Sequence, residues 1–103
     1  MSGIIQPPPQ YSYPFPGRVI TEYQPYWEIS KMAANHGLET DGRVEGYSWT
    51  FKDPQNPTKI AGHVVLPILD NSSGITQDII DQIKSHENGH LNGWPEDHPG
   101  GHY

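Results

Sequence analysis

Along residues 75–90 the apolar positions recur with the period of a helix. Ile75, Ile79 and Ile83 lie four apart, and the stripe continues to His86 and His90, while Asp78, Asp81, Lys84 and Asn88 fall opposite. Thr76 is placed to cap this helix, with Ile75 and Ile80 at the positions of a hydrophobic staple. Gly93 and Pro95 form a stop signal. A second stripe of Ile29, Met32, Ala33 and His36 predicts a helix over 25–36, opened by Pro25 and closed by Gly37. After the turn Thr40–Gly42 the period drops to two. In V-E-G-Y-S-W-T-F, residues 44–51, Tyr47, Trp49 and Phe51 share one face, as a strand requires. D-P-Q-N-P breaks that strand, and T-K-I-A-G-H-V-V-L-P-I-L predicts its hairpin partner. There Ile60, Val64 and Leu66 share one side, with Ala61, His63 and Val65 on the other, and Pro67 marks the far end as an edge or an exit.

The first 24 residues follow neither period. Prolines crowd there as P-P-P and Y-P-F-P, interleaved with Tyr11, Tyr13 and Phe15. This predicts an extended, polyproline-like arm. Its aromatic residues imply that it lies on its own domain or on a neighbour, and it is the candidate for self-association or a protein partner. Residues 25–103 form the domain proper, and removing 1–24 is expected to leave it intact. The predicted fold class is α+β, in the order arm, helix, β-hairpin, helix, tail.

Composition narrows the picture. With 33% hydrophobic residues in 103, the core is small, and a metal would help to hold it. The net charge of −6, without any cluster of Lys or Arg, argues against a nucleic-acid role. The absence of cysteine excludes disulfides, thiol nucleophiles and Cys-based zinc sites. No apolar run is long enough to span a membrane, and the start M-S-G-I-I-Q-P-P-P lacks the basic and apolar regions of a signal peptide.

The chemistry sits at the end of the last helix, in H-E-x-x-H: His86, Glu87 and His90. Residues four apart stack on one helix face, so the two imidazoles can share one Zn²⁺. Glu87, one step round, can take the proton of an attacking water. A catalytic zinc needs a third protein ligand. His98 is favoured, because imidazole suits zinc and Pro99 stiffens its turn; Glu96, Asp97 and His102 are the alternatives. His36 reads as a helix-end histidine and His63 as a packed strand residue.

These residues resemble the zincin metallopeptidases. Gly93, three residues after His90, matches the extended metzincin-like pattern H-E-x-x-H-x-x-G-x-x-(H/D), which would put the third ligand at Glu96. A Met-turn is absent, since the only methionines are Met1 and Met32. The tail G-W-P-E-D-H-P also resembles the G-W-x-x-x-H-P ending of small H-E-x-x-H proteins of phages and mobile elements. The resemblance implies a reduced zincin-like core and a cytoplasmic or virion-associated protein. It also implies a zinc-dependent peptidase acting on a peptide or protein, with Glu87 as general base. In zincins an edge strand above the helix holds the substrate extended; Ile60–Leu66 is the candidate here. His102 or Tyr103 is a candidate oxyanion partner. The competing expectation is a structural or interaction protein, such as a phage particle component, in which zinc only staples the fold.

Overall fold

The computed structural model describes residues 4–35 and 46–103. Its main elements are β1 (Val19–Gln24), α1 (Tyr26–Asn35), β2 (Tyr47–Lys52), β3 (Ile60–Pro67) and α2 (Gln77–Leu91). Two single 3₁₀ turns, Pro9–Tyr11 and Asn71–Ser73, punctuate the connections. The fold is a small α+β arrangement, as expected. The predicted helix end at His36 and Gly37, the turn Thr40–Gly42 and the first residues of the first strand lie outside the described residues.

The sheet has three strands in the order β1-β3-β2. β2 and β3 form the expected antiparallel hairpin, with Trp49 opposite His63 and Tyr47 opposite Val65. Two expectations are corrected. Residues 19–24 are not arm but a strand, paired in parallel with β3 from Val19 opposite Gly62 to Gln24 opposite Pro67. In consequence Ile60–Leu66 is not an edge but the central strand, with both sides of its ladder occupied. It therefore cannot accept an added substrate strand. The physical reason lies in its burial: from Ala61 to Pro67 only His63 escapes full burial. A near-continuous buried run is the mark of a strand covered on both faces.

A helix covers each face. Against one, α2 places Ile80, Ile83 and Leu91 on Val64, Leu66 and Ile75. Against the other, α1 places Ile29 and Ala33 on Val65 and Tyr47. Thr76 caps α2 as predicted, its hydroxyl accepting from the Ile79 amide at 3.3 Å. The buried line of α2 runs Ile80, Ile83, Glu87, Leu91, whereas Ile79 is only partly buried. The stripe is thus turned by one residue from its expected position, which brings Glu87 inward. Truncating Ile83 to alanine would cost roughly 2–5 kcal/mol, the usual range for a fully buried isoleucine.

The proline-rich segment before β1 lies on its own domain. The Asn88 side chain donates to the Tyr13 carbonyl at 2.9 Å and accepts from the Phe15 amide at 3.2 Å. Asn92 donates to the Tyr11 carbonyl at 2.9 Å. The Asn88–Asn92 end of the outer side of α2 is therefore a docking strip for the arm, while Asp78, Asp81 and Lys84 stay exposed. Arg18 closes the segment with a two-pronged ion pair to Asp53, at 3.0 and 3.3 Å. No described helix is long and apolar enough to cross a membrane.

Candidate metal centre

Helix α2 ends in a left-handed turn that sends the chain back over its own last residues. The amide of Gly93 donates to the His90 carbonyl and that of Trp94 to the Gly89 carbonyl, each at 3.0 Å. This paired pattern needs a positive φ at its hinge, and Gly93 supplies it at 101°. Trp94 then packs against Gly89. A Cβ at position 89 would meet Pro7 at 2.7 Å and Trp94 at 3.1 Å, so only glycine lets arm, helix and tail converge there.

The returning tail delivers His98 to His86 and His90, with their ligand atoms all within 4.8 Å of one another. His98 itself sits in the left-handed region at φ 57°, unusual for a residue other than glycine. Nε2 of His90 lies 3.1 Å from Nε2 of His86 and 3.2 Å from Nε2 of His98. Nitrogens around a tetrahedral zinc, each about 2.0–2.1 Å from the ion, are roughly 3.3 Å apart.

The hydrogen bonds on the far side of the rings bear on what this convergence can hold. Nδ1 of His86 donates to the Ile5 carbonyl at 2.6 Å, and Nδ1 of His90 to the Trp94 carbonyl at 2.7 Å. A carbonyl only accepts, so both Nδ1 atoms carry hydrogen, and in the neutral rings Nε2 is a bare lone pair. Lone pairs facing each other at 3.1 Å repel. One proton could bridge a single pair of nitrogens, whereas a metal ion satisfies all three. Burial holds His86 neutral by pushing its pKa down to about 4, and nearby His90 and His98 reinforce this against the Ile5 hydrogen bond. His98 is likewise lowered, first by burial and then by His90, although the charges of Glu96 and Asp97 oppose the shift. A neutral imidazole is the form that binds metal.

Glu87 sits beside this cluster with 6% of its surface exposed. Its Oε1 accepts from the Ser48 hydroxyl at 2.7 Å, and its Oε2 is 3.9 Å from His86 Nε2. One oxygen is thus held by β2 while the other looks toward the triad. Burial pushes the Glu87 carboxyl up to about 7, against the Ser48 hydrogen bond and the positive charge His90 can carry. A carboxyl in that range can take and release a proton near neutral pH.

Of the expected ligands, His86, His90 and His98 come together. Glu96 and Asp97 are exposed and stand outside the cluster. His102 contributes only its backbone, which pairs with Gln6 at 2.6 and 3.0 Å, and Tyr103 is 82% exposed. Sequence reasoning missed Ser48 and Ile5. Their contacts span 39 and 81 positions, and neither residue type signals the role. The segment 1–24, whose removal is expected to leave the domain intact, contains both β1 and the acceptor that orients His86. Comparison with known protein families, with curated proteins and with solved structures gave no match for this chain.

Proposed function

We propose that this chain is a zincin-like, zinc-dependent peptidase in which His86, His90 and His98 hold the metal. The observation that carries the proposal is His90 Nε2 lying within 3.2 Å of Nε2 of both His86 and His98, with the Nδ1 atoms of His86 and His90 tied to backbone carbonyls. Zinc bound there would supply Lewis acidity and an activated water. Glu87, steadied by Ser48, accepts the proton of the attacking water and returns it to the leaving amine. Three protein ligands leave a fourth position open for chemistry.

The substrate would lie along β2. Ser48 places this strand against Glu87, and β2 pairs only with β3 among the described residues. Its outer edge offers backbone groups to an extended peptide beside the site.

A second reading, zinc as a staple, draws on a different observation. The acceptors behind His86 and His90 belong to the N-terminal arm and the C-terminal tail, so one ion would fasten both ends of the chain to α2. The substitution Glu87→Gln separates the two. It keeps the Ser48 hydrogen bond and the three histidines but cannot carry a proton. For a peptidase, zinc content stays at wild-type level while hydrolysis of a casein digest falls by at least about 10²-fold. Hydrolysis unchanged in that variant, or absent from zinc-loaded wild type, leaves the staple.

A further inference from the structure

The other edge of the sheet carries a separate inference, independent of the metal site. The carbonyls of Arg18 and Gln24 accept from the amides of Gly62 and Ile68, at 2.8 and 2.9 Å. Backbone groups alternate sides along a strand, so the even-numbered residues of β1 serve β3. The odd-numbered Val19, Thr21 and Tyr23 turn their N–H and C=O groups outward. Among the described residues no strand pairs with that side. Beside exposed Thr21, large side chains are exposed on both faces: Val19 at 41%, Ile20 at 36% and Tyr23 at 54%. Natural edge strands are usually protected by lysine, proline or a bulge, and β1 has none of these.

We infer that β1 is a homodimer interface, pairing antiparallel with β1 of a second copy about a two-fold axis at Ile20. The pattern of the strand selects this partner and this register. With Ile20 opposite itself, Val19 faces the partner's Thr21 through outward backbone groups, and the two chains exchange hydrogen bonds at both symmetric places. On the face shared with Ile20, Arg18 falls opposite the partner's Glu22; each keeps its partner within its own chain, Asp53 and His63, and no like charges meet across the axis. A strand read against its own reverse thus sets Ile20 on Ile20 without opposing like charges. Two three-stranded sheets become one of six strands. The interface is one strand wide and gives a concentration-dependent dimer.

Sedimentation of the zinc-loaded full chain over a micromolar concentration series tests this. Wild type is expected to shift from monomer to dimer. Thr21→Pro removes an outward N–H that β3 does not use, which an edge strand tolerates. Ile20→Lys sets two ammonium groups face to face on the axis. Both variants are expected to remain monomeric, their dissociation constants raised at least tenfold, with unchanged circular dichroism and zinc content. The chain has no cysteine, so Ile20→Cys provides a clean cross-link. Directly opposed residues of a non-hydrogen-bonded pair lie about 4.5 Å apart at Cα, within disulfide reach. Ile20→Cys is expected to form a covalent dimer on oxidation faster than Thr21→Cys. Wild type that stays monomeric throughout overturns the inference. So does a dimer that survives both Thr21→Pro and Ile20→Lys, or faster cross-linking through Thr21→Cys.

Discussion

Two places in this protein set histidine against tryptophan, and they work in opposite ways. On the α1 face of the sheet, the His63 ring stacks on Trp49 at 4.3 Å with the planes 8° apart. At the end of α2, the His90 ring stacks on Trp94 at 5.0 Å with the planes 21° apart. Packing alone does not tell them apart. The difference is what faces the remaining nitrogen. Nε2 of His63 meets Glu22 Oε1 at 2.9 Å, so its polar edge is satisfied by the protein itself. Nε2 of His90 meets two other Nε2 atoms, and its Nδ1 is already committed to a carbonyl. A histidine whose partner is a carboxylate is a finished contact. A histidine whose partners are other imidazole nitrogens has no such acceptor, and the proposed cation would complete it.

Substitutions at the two places should therefore separate widely. His90→Ala is expected to have the largest effect: zinc disappears from elemental analysis, and the melting temperature of the variant no longer responds to a chelator. His63→Ala should retain the metal and the chelator response. If His63→Ala lost zinc as fully as His90→Ala, the contrast would collapse.

Trimming the arm comes next. A chain beginning at residue 9 keeps all three histidines but lacks the Ile5 carbonyl and the Pro7 contact with Gly89. Outer-shell partners of metal-bound histidine are worth roughly 10–100-fold in affinity, and a loss of that size is expected in a competition titration with a chromophoric chelator. Unchanged affinity would mean that His86 needs no orientation from the arm.

Glu87 gives an effect that depends on pH. Its folded pKa of about 7 stands above the ordinary 4.5, because burial penalises the charge. The folded chain therefore holds a proton that the unfolded chain releases above pH 4.5. The contribution of Glu87 to the stability of the metal-free protein falls as pH rises through that window and is lost above pH 7, against the opposite contribution of His86 and His98, which burial keeps neutral. Glu87→Gln removes the burden. Denaturation of the metal-free proteins should show the variant little changed at pH 4.5, and ahead of wild type by on the order of 3 kcal/mol at pH 8. A constant difference across that range would refute the buried-carboxyl account.

The smallest effect is expected at His63→Gln, which can still hydrogen-bond to Glu22. Stability should change by less than about 1 kcal/mol, with metal content untouched, by urea denaturation.

The sequence made the local features of this molecule readable and hid the long-range ones. The α2 helix, its Thr76 cap, its Gly93 stop and the β2–β3 hairpin follow from periodicity and turn chemistry, which act within a few residues. Ligand chemistry favours His98 among four tail candidates, and the fold brings its ring within 4.8 Å of His86 and His90. Strand β1 escaped because V-I-T-E-Y-Q sits beside a proline-rich stretch and is half exposed; it becomes a strand by pairing with residues 62–67. That pairing, invisible locally, is also what turns β3 from an edge into the centre. The inward turn of Glu87 shows the same limit, since the helix period allowed either Ile79 or Ile80 to lead the buried line.

Trp94 has a further consequence, which is optical. Its indole is 2% exposed, stacked on His90 and held through its N–H by the Pro99 carbonyl at 3.0 Å. The chain's other tryptophans stand elsewhere: Trp27 is 59% exposed on α1, and Trp49 belongs to the His63 stack. A paramagnetic ion such as Cu²⁺ or Co²⁺ entering the triad would quench the light of Trp94 and leave that of Trp27 largely undimmed. The protein thus contains its own lamp beside the site, shaded from water and tuned to the blue side of tryptophan emission.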